Sequence, residues 1–139
     1  MEVFAPVVRF ESLRFLLAFA AMKDYEVHQM DVTTAFLNGD IDVEVFMEQP
    51  EGYVIKGKEK YVCKLRKSLY GLKQAPRVWY KVLREWLERN GFAMLKTEAC
   101  VGVKFVDGWP CFISIYVDDL ILLAPTIEIV NDFKHVTMK

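Results

Sequence analysis

From Val101 to Ala124 the chain reads VGVKFV, DGWP, CFISIYV, DD, LILLA: three apolar runs separated by two short polar breaks. Runs of this length, rich in Val, Ile and Phe and bounded by Gly, Pro and Asp, are strands, and breaks this short leave room only for hairpins. The segment therefore demands an antiparallel sheet, and the rest of the chain must supply its cover. DGWP is ordinary turn chemistry. The second break is not, because Asp118 and Asp119 set two negative charges side by side in an apolar run.

Locally these aspartates read as the two-residue tip of a hairpin, a place Asp tolerates well. Asn-Gly or Asp-Gly would fit such a tip more easily. Burying unpaired carboxylates costs on the order of several kcal/mol, and like charges raise one another's pKa. A divalent cation accounts for the pair: hard cations such as Mg²⁺ take oxygen ligands, and two carboxylates offset the charge of one or two ions. Asp31, in QMDVTTAFLNGD, is a second acid at the end of an apolar strand. If the two strands are neighbours, Asp31 and Asp118 face each other at one end of the sheet. Strand-end aspartates are commonly caps or turn residues, so the residues alone leave a metal site and a structural pair both open.

The remaining elements fit around such a sheet. SLRFLLAFAAMK reads as a largely buried helix capped by Ser12, and YEVHQMDV as a strand ending near Asp31. NGD at Asn38–Asp40 is a turn signal, and VEVFME and KYVCKL are strands joined by the loop EGYVIKGKEK. QAPRVWYKVLREWLERNG is a helix with Pro76 in its first turn and Gly91 as its stop. Its apolar face repeats through Val78, Val82 and Trp86 and through Trp79, Leu83 and Leu87, the spacing of core packing. TIEIVNDFK closes as a short helix capped by Thr126. The class is α+β, one domain over residues 1–139, with an antiparallel sheet packed on helices.

Composition excludes several classes. At 53% hydrophobic residues the chain can bury a core, and its longest apolar run near the start, Phe15 to Met22, is too short to span a bilayer. Cys63, Cys100 and Cys111 share no CxxC spacing and suit buried thiols better than zinc or disulfides. Net charge is −1, yet Asp24–Glu51 holds no Lys or Arg while Lys56–Lys81 is basic except for Glu59. Such blocks are solvated faces or a site that holds cations beside one that holds a polyanion.

Four stretches, FAPVVR, HQMDVTTAFLNGDIDVEVFMEQPEGY, KSLYGLKQAPRVWY and YVDDLIL, stand in the order and spacing of copia-type (Pseudoviridae) retrotransposon reverse transcriptases. The chain resembles that family from about Val3 to its end. The resemblance implies an incomplete right-hand polymerase, mostly palm with part of the fingers, that adds a deoxynucleotide to a primer 3′-hydroxyl by two-metal displacement. It implies that Asp31, Asp118 and Asp119, with the Val32 backbone, hold two Mg²⁺ ions, Mn²⁺ being an alternative. Thr34 and Ala35 would cradle the triphosphate. Phe36 would exclude a ribose 2′-hydroxyl, although its residue type alone reads as an ordinary core aromatic. Tyr70 and Gly71 would meet the nucleotide, and Lys73, Gln74, Arg77, Tyr116 and Val117 the template–primer. The basic stretch Lys56–Lys67 would lie near the template.

Expected partners are an RNA or DNA template–primer, deoxynucleoside triphosphates and the rest of a Pol polyprotein, including fingers, thumb and RNase H; no membrane is expected. The parent element would work in cytoplasmic virus-like particles. Three positions depart from the family's usual wording: Thr33 replaces a Lys, EAC with Glu98 and Ala99 replaces DPC, and Pro125 replaces a small polar residue. The fingers segment and thumb are expected to lie outside the chain, so the isolated chain is expected to give no measurable primer extension. Two readings remain open: a palm with intact catalytic residues, and a catalytically silent remnant that at most binds nucleic acid or protein. A palm-like nucleotidyl cyclase would need neither SLYGLKQAP nor the aromatic at Phe36.

Overall fold

The computed structural model describes residues 5–137. Helix α1 (Phe10–Lys23) leads into β1 (Glu26–Asp31), a 3₁₀ turn at Ala35–Asn38, and the strands β2 (Phe46–Glu48) and β3 (Val62–Lys64). Helix α2 (Ala75–Arg89) is followed by β4 (Ala93–Met94), β5 (Val101–Val106), β6 (Trp109–Tyr116), β7 (Asp119–Ala124) and α3 (Ile127–Thr137). One sheet has the order β1-β7-β6-β5-β4, antiparallel at every pairing, and β2 and β3 form a separate two-stranded sheet. The α+β expectation holds. Among the described residues no helix is long and apolar enough to cross a membrane.

The central position of β7 explains its apolar sequence. Strands flank it on both sides and helices cover both faces, so Leu120, Leu122, Leu123 and Ala124 are all fully buried. Each such leucine contributes about 1.5–3 kcal/mol by leaving water. On one face Met30, Ile113 and Leu122 meet Trp86 and Leu87 of α2 and Phe133 of α3. On the other, Phe19 of α1 packs edge-on against Phe112 of β6, ring centroids 5.4 Å apart. Alternation carries this second face from Leu123, opposite Phe112, through Ile121 to Asp119. There it leaves α1 behind and reaches the exposed side chains of Gln29, Asp31 and Tyr116.

Several local expectations change. Ser12 is not the cap of α1: Arg9 is, and the carboxylate of Glu98 serves the helix start. Its Oε2 accepts the Arg9 N–H at 3.3 Å and the Ser12 hydroxyl at 2.8 Å, an anion where the helix dipole favours one. Gly39, in the NGD turn, does not use a positive φ: it has φ −99°. Glycine is needed there for space, since a Cβ would stand 2.5 Å from Val78 Cγ1. The DGWP turn contracts to Asp107–Gly108, leaving Trp109 and Pro110 in β6 opposite Val106 and Phe105. Both turn residues have positive φ, the geometry that matches strand twist in a two-residue hairpin. Strands β2 and β3 shrink to three residues each, and β4 is a short addition paired with Gly102 and Val103. Strand β7 ends at Ala124, directly before Pro125.

Candidate active site

The sheet register assembles the acidic end. Strand β1 pairs with β7 so that Asp31 lies opposite Asp119, and the Val32 N–H donates to the Asp118 carbonyl at 3.1 Å. That bond makes Val32 and Asp118 the hydrogen-bonded pair, so Asp31 and Asp119 occupy the adjacent non-hydrogen-bonded position. Facing side chains approach most closely at such positions. The sequence expectation of neighbouring strands is met, with one correction: the partner facing Asp31 is Asp119, and Asp118 sits one residue further, in the turn.

The turn is shifted as well. Its two residues are Val117 and Asp118, closed by the Tyr116–Asp119 pair, and not Asp118–Asp119. Val117 adopts φ +58°, a region costly for a β-branched side chain. Trp79 of α2 holds it there, its indole N–H donating to the Val117 carbonyl at 2.9 Å. Strained backbone, stabilised from outside, thus presents Asp118. The aspartates also escape deep burial: Asp31 is exposed, and Asp118 and Asp119 are half-buried at the tip of the apolar run.

Each turn-side carboxylate has a specific partner. Gln29 Nε2 donates to Asp119 Oδ1 at 3.1 Å, and the Tyr70 hydroxyl donates to Asp118 Oδ2 at 2.6 Å. The hydrogen bond to Asp118 pushes the Tyr70 phenol up to about 12, with partial desolvation and the charges of Asp118 and Asp31 adding to it. Tyr70 therefore stays protonated and remains a donor in the field of two carboxylates. Its ring lies 4.2 Å from that of Phe36, tilted by 49°. Phe36 itself is 5% exposed, with the Tyr70 ring packed against its own.

The other expected site residues are arranged around this centre. Thr34 has φ +56°, and its carbonyl accepts from the Leu37 N–H at 2.9 Å and from the Asn38 side chain at 3.2 Å. The Ala35 N–H is engaged by the Val32 carbonyl at 3.1 Å. Gly71 takes φ +94° with nothing within 4 Å of where a Cβ would be. Lys73 is exposed ahead of α2, Gln74 is the helix N-cap residue and Arg77 lies in the first turn. Tyr116 is exposed and Val117 half-buried beside the aspartates. Among the described residues no three His, Cys, Asp or Glu side chains converge as a ready cation cage; Asp118 and Asp119 bond instead to Tyr70 and Gln29. Trp79 and Gln29 are site residues that pattern alone missed: one reads as a core stripe, the other as an ordinary strand polar residue.

A family model described as reverse transcriptase (RNA-dependent DNA polymerase) matches residues 1–139, the whole chain. The chain belongs to the reverse transcriptase family. Among curated relatives of this reverse transcriptase chain is the Retrovirus-related Pol polyprotein from transposon TNT 1-94 of Nicotiana tabacum. It is 46% identical over 124 residues, which is 88% of the chain and 9% of the relative. The Retrovirus-related Pol polyprotein from transposon RE1 of Arabidopsis thaliana is 40% identical over 121 residues, 87% of the chain and 8% of the relative. The chain thus spans less than a tenth of the length of either relative. No solved structure matches it.

Proposed function

We propose that the β1–β7 end is the nucleotidyl-transfer centre of a copia-type retrotransposon reverse transcriptase, carried on its palm and part of its fingers. The observation that carries this reading is the register: Asp31 opposite Asp119, with Asp118 next to them on a turn held by Trp79. The donor chemistry fits a hard divalent ion. Three carboxylates and the Val32 carbonyl, which keeps a second lone pair beside its Ala35 contact, offer oxygen alone, the ligand set of Mg²⁺ or Mn²⁺. When bound, two such ions supply positive charge to the primer 3′-hydroxyl and to the triphosphate.

The chain's own residues would position the reactants. Asp31, Asp118 and Asp119 fix where that charge sits. Thr34 borders the triphosphate, while Ala35, buried with its N–H bonded to the Val32 carbonyl, supports that turn from behind. Phe36 limits the sugar at its 2′ position, and Tyr70 and Gly71 border the nucleotide. Lys73, Gln74, Arg77, Tyr116 and Val117 serve the template–primer. Primer extension on poly(rA)/oligo(dT) with Mg²⁺ or Mn²⁺, by a complete copia-type Pol polyprotein carrying this segment, tests the reading. Asp118→Asn is expected to lower extension on the order of a hundredfold or more, beyond the loss typical of an outer-shell change. Undiminished extension by that variant contradicts the assignment.

A further inference from the structure

We propose that Tyr70 is a latch on this centre: its hydroxyl occupies the Asp118 carboxylate and its ring covers Phe36 until a divalent cation and a nucleotide displace it. The inference rests on the metal-site reading above and deepens it. A hydroxyl donating to Asp118 Oδ2 at 2.6 Å points its proton at a lone pair that a cation on that oxygen would need. Proton donor and cation therefore compete for one acceptor. The same side chain lies 4.2 Å from the Phe36 ring, so leaving Asp118 also uncovers Phe36.

The surroundings allow the swing. Tyr70 is 61% exposed, and the next residue, Gly71 at φ +94°, has open space around it. The segment is fixed on either side by Ser68 and Ala75, both at 0% exposure, so motion is confined to the turn between them. That turn is tied by a Leu72 N–H bond to the Leu69 carbonyl at 3.3 Å. Because one displacement bares both Asp118 and Phe36, binding of either ligand eases binding of the other, reciprocally.

Mn²⁺ titration of the full chain tests this, read by Mn²⁺ paramagnetic resonance and, with Trp86 and Trp109 replaced by Phe in every chain compared, by emission of Trp79, whose indole bonds to the turn carbonyl. Tyr70→Phe keeps the ring and removes the proton donor. It is expected to bind Mn²⁺ about five- to tenfold more tightly than the native chain, the scale of one partly exposed charge-assisted hydrogen bond. The metal-free variant should melt only a few degrees lower, the loss of that one hydrogen bond from the fold, and Asp118→Asn should abolish binding in either background. Equal or weaker binding by Tyr70→Phe, with Asp118→Asn still abolishing it, overturns the latch and leaves the metal site standing. Binding that survives Asp118→Asn, or is absent from native and Tyr70→Phe chains alike, overturns the metal site and the latch with it.

Discussion

In β7, Leu120, Leu122 and Leu123 are at 0% exposure between two strands, whereas in the β2–β3 hairpin Phe46 and Val62 are 53% and 56% exposed. The hairpin is held by polar contacts. Gln49 Nε2 donates to the Lys58 and Tyr61 carbonyls at 2.7 and 3.0 Å, and its Oε1 accepts the Ile55 N–H at 3.0 Å. Lys67 pairs with Asp40 at 2.8 Å and Lys64 with Glu44, so the acidic and basic blocks of the sequence partly neutralise each other across this hairpin. Apolar burial fixes register, because a one-residue slip would turn every buried side chain outward. Exposed ion pairs fix little. The carboxylates that must be placed accurately stand on the first kind of structure, and the basic surface stands on the second.

Truncating the core should separate the two regions most widely. Leu122→Ala is expected to lose about 3 kcal/mol in urea unfolding, within the usual span for a buried leucine, while Phe46→Ala should lose under about 1 kcal/mol. Comparable losses would break the contrast. Trp79→Phe is a smaller and more local change, removing the donor to the strained Val117 carbonyl. It should cost about 1–2 kcal/mol and speed amide exchange at Asp118 and Asp119 while leaving the β2–β3 amides as they were. Faster exchange in the hairpin would show that the turn is not held independently.

Legibility in the sequence follows the same division. Period-two and period-four burial made the long elements readable, from the Trp79–Leu83–Leu87 face of α2 to the apolar run of β7. Pattern does not say which residue opens a strand, so the hairpin tip was read one residue late. Nothing in the residue type announces a valine at φ +58°, since valine disfavours that region and is kept there by Trp79, 38 positions away in sequence. The Tyr70–Asp118 bond spans 48 residues and the Glu98 contact with Ser12 spans 86. Such contacts depend on the completed fold. The aspartates themselves were legible because charges in an apolar run require an explanation; their partners were not.

The central claim, that β1–β7 register brings Asp31 and Asp119 face to face, is open to direct measurement. In a Cys63→Ser background, Asp31→Cys and Asp119→Cys are introduced together and the chain is oxidised. Cys100 and Cys111 should not compete, being fully buried, with desolvation pushing the Cys100 thiol up to about 12 and so keeping it protonated. A closely facing non-hydrogen-bonded pair lies within disulfide reach. Mass spectrometry should find the 31–119 bridge formed in the folded chain. A pair that stays reduced, while Asp31→Cys with Asp118→Cys closes instead, would contradict the register and the site built on it.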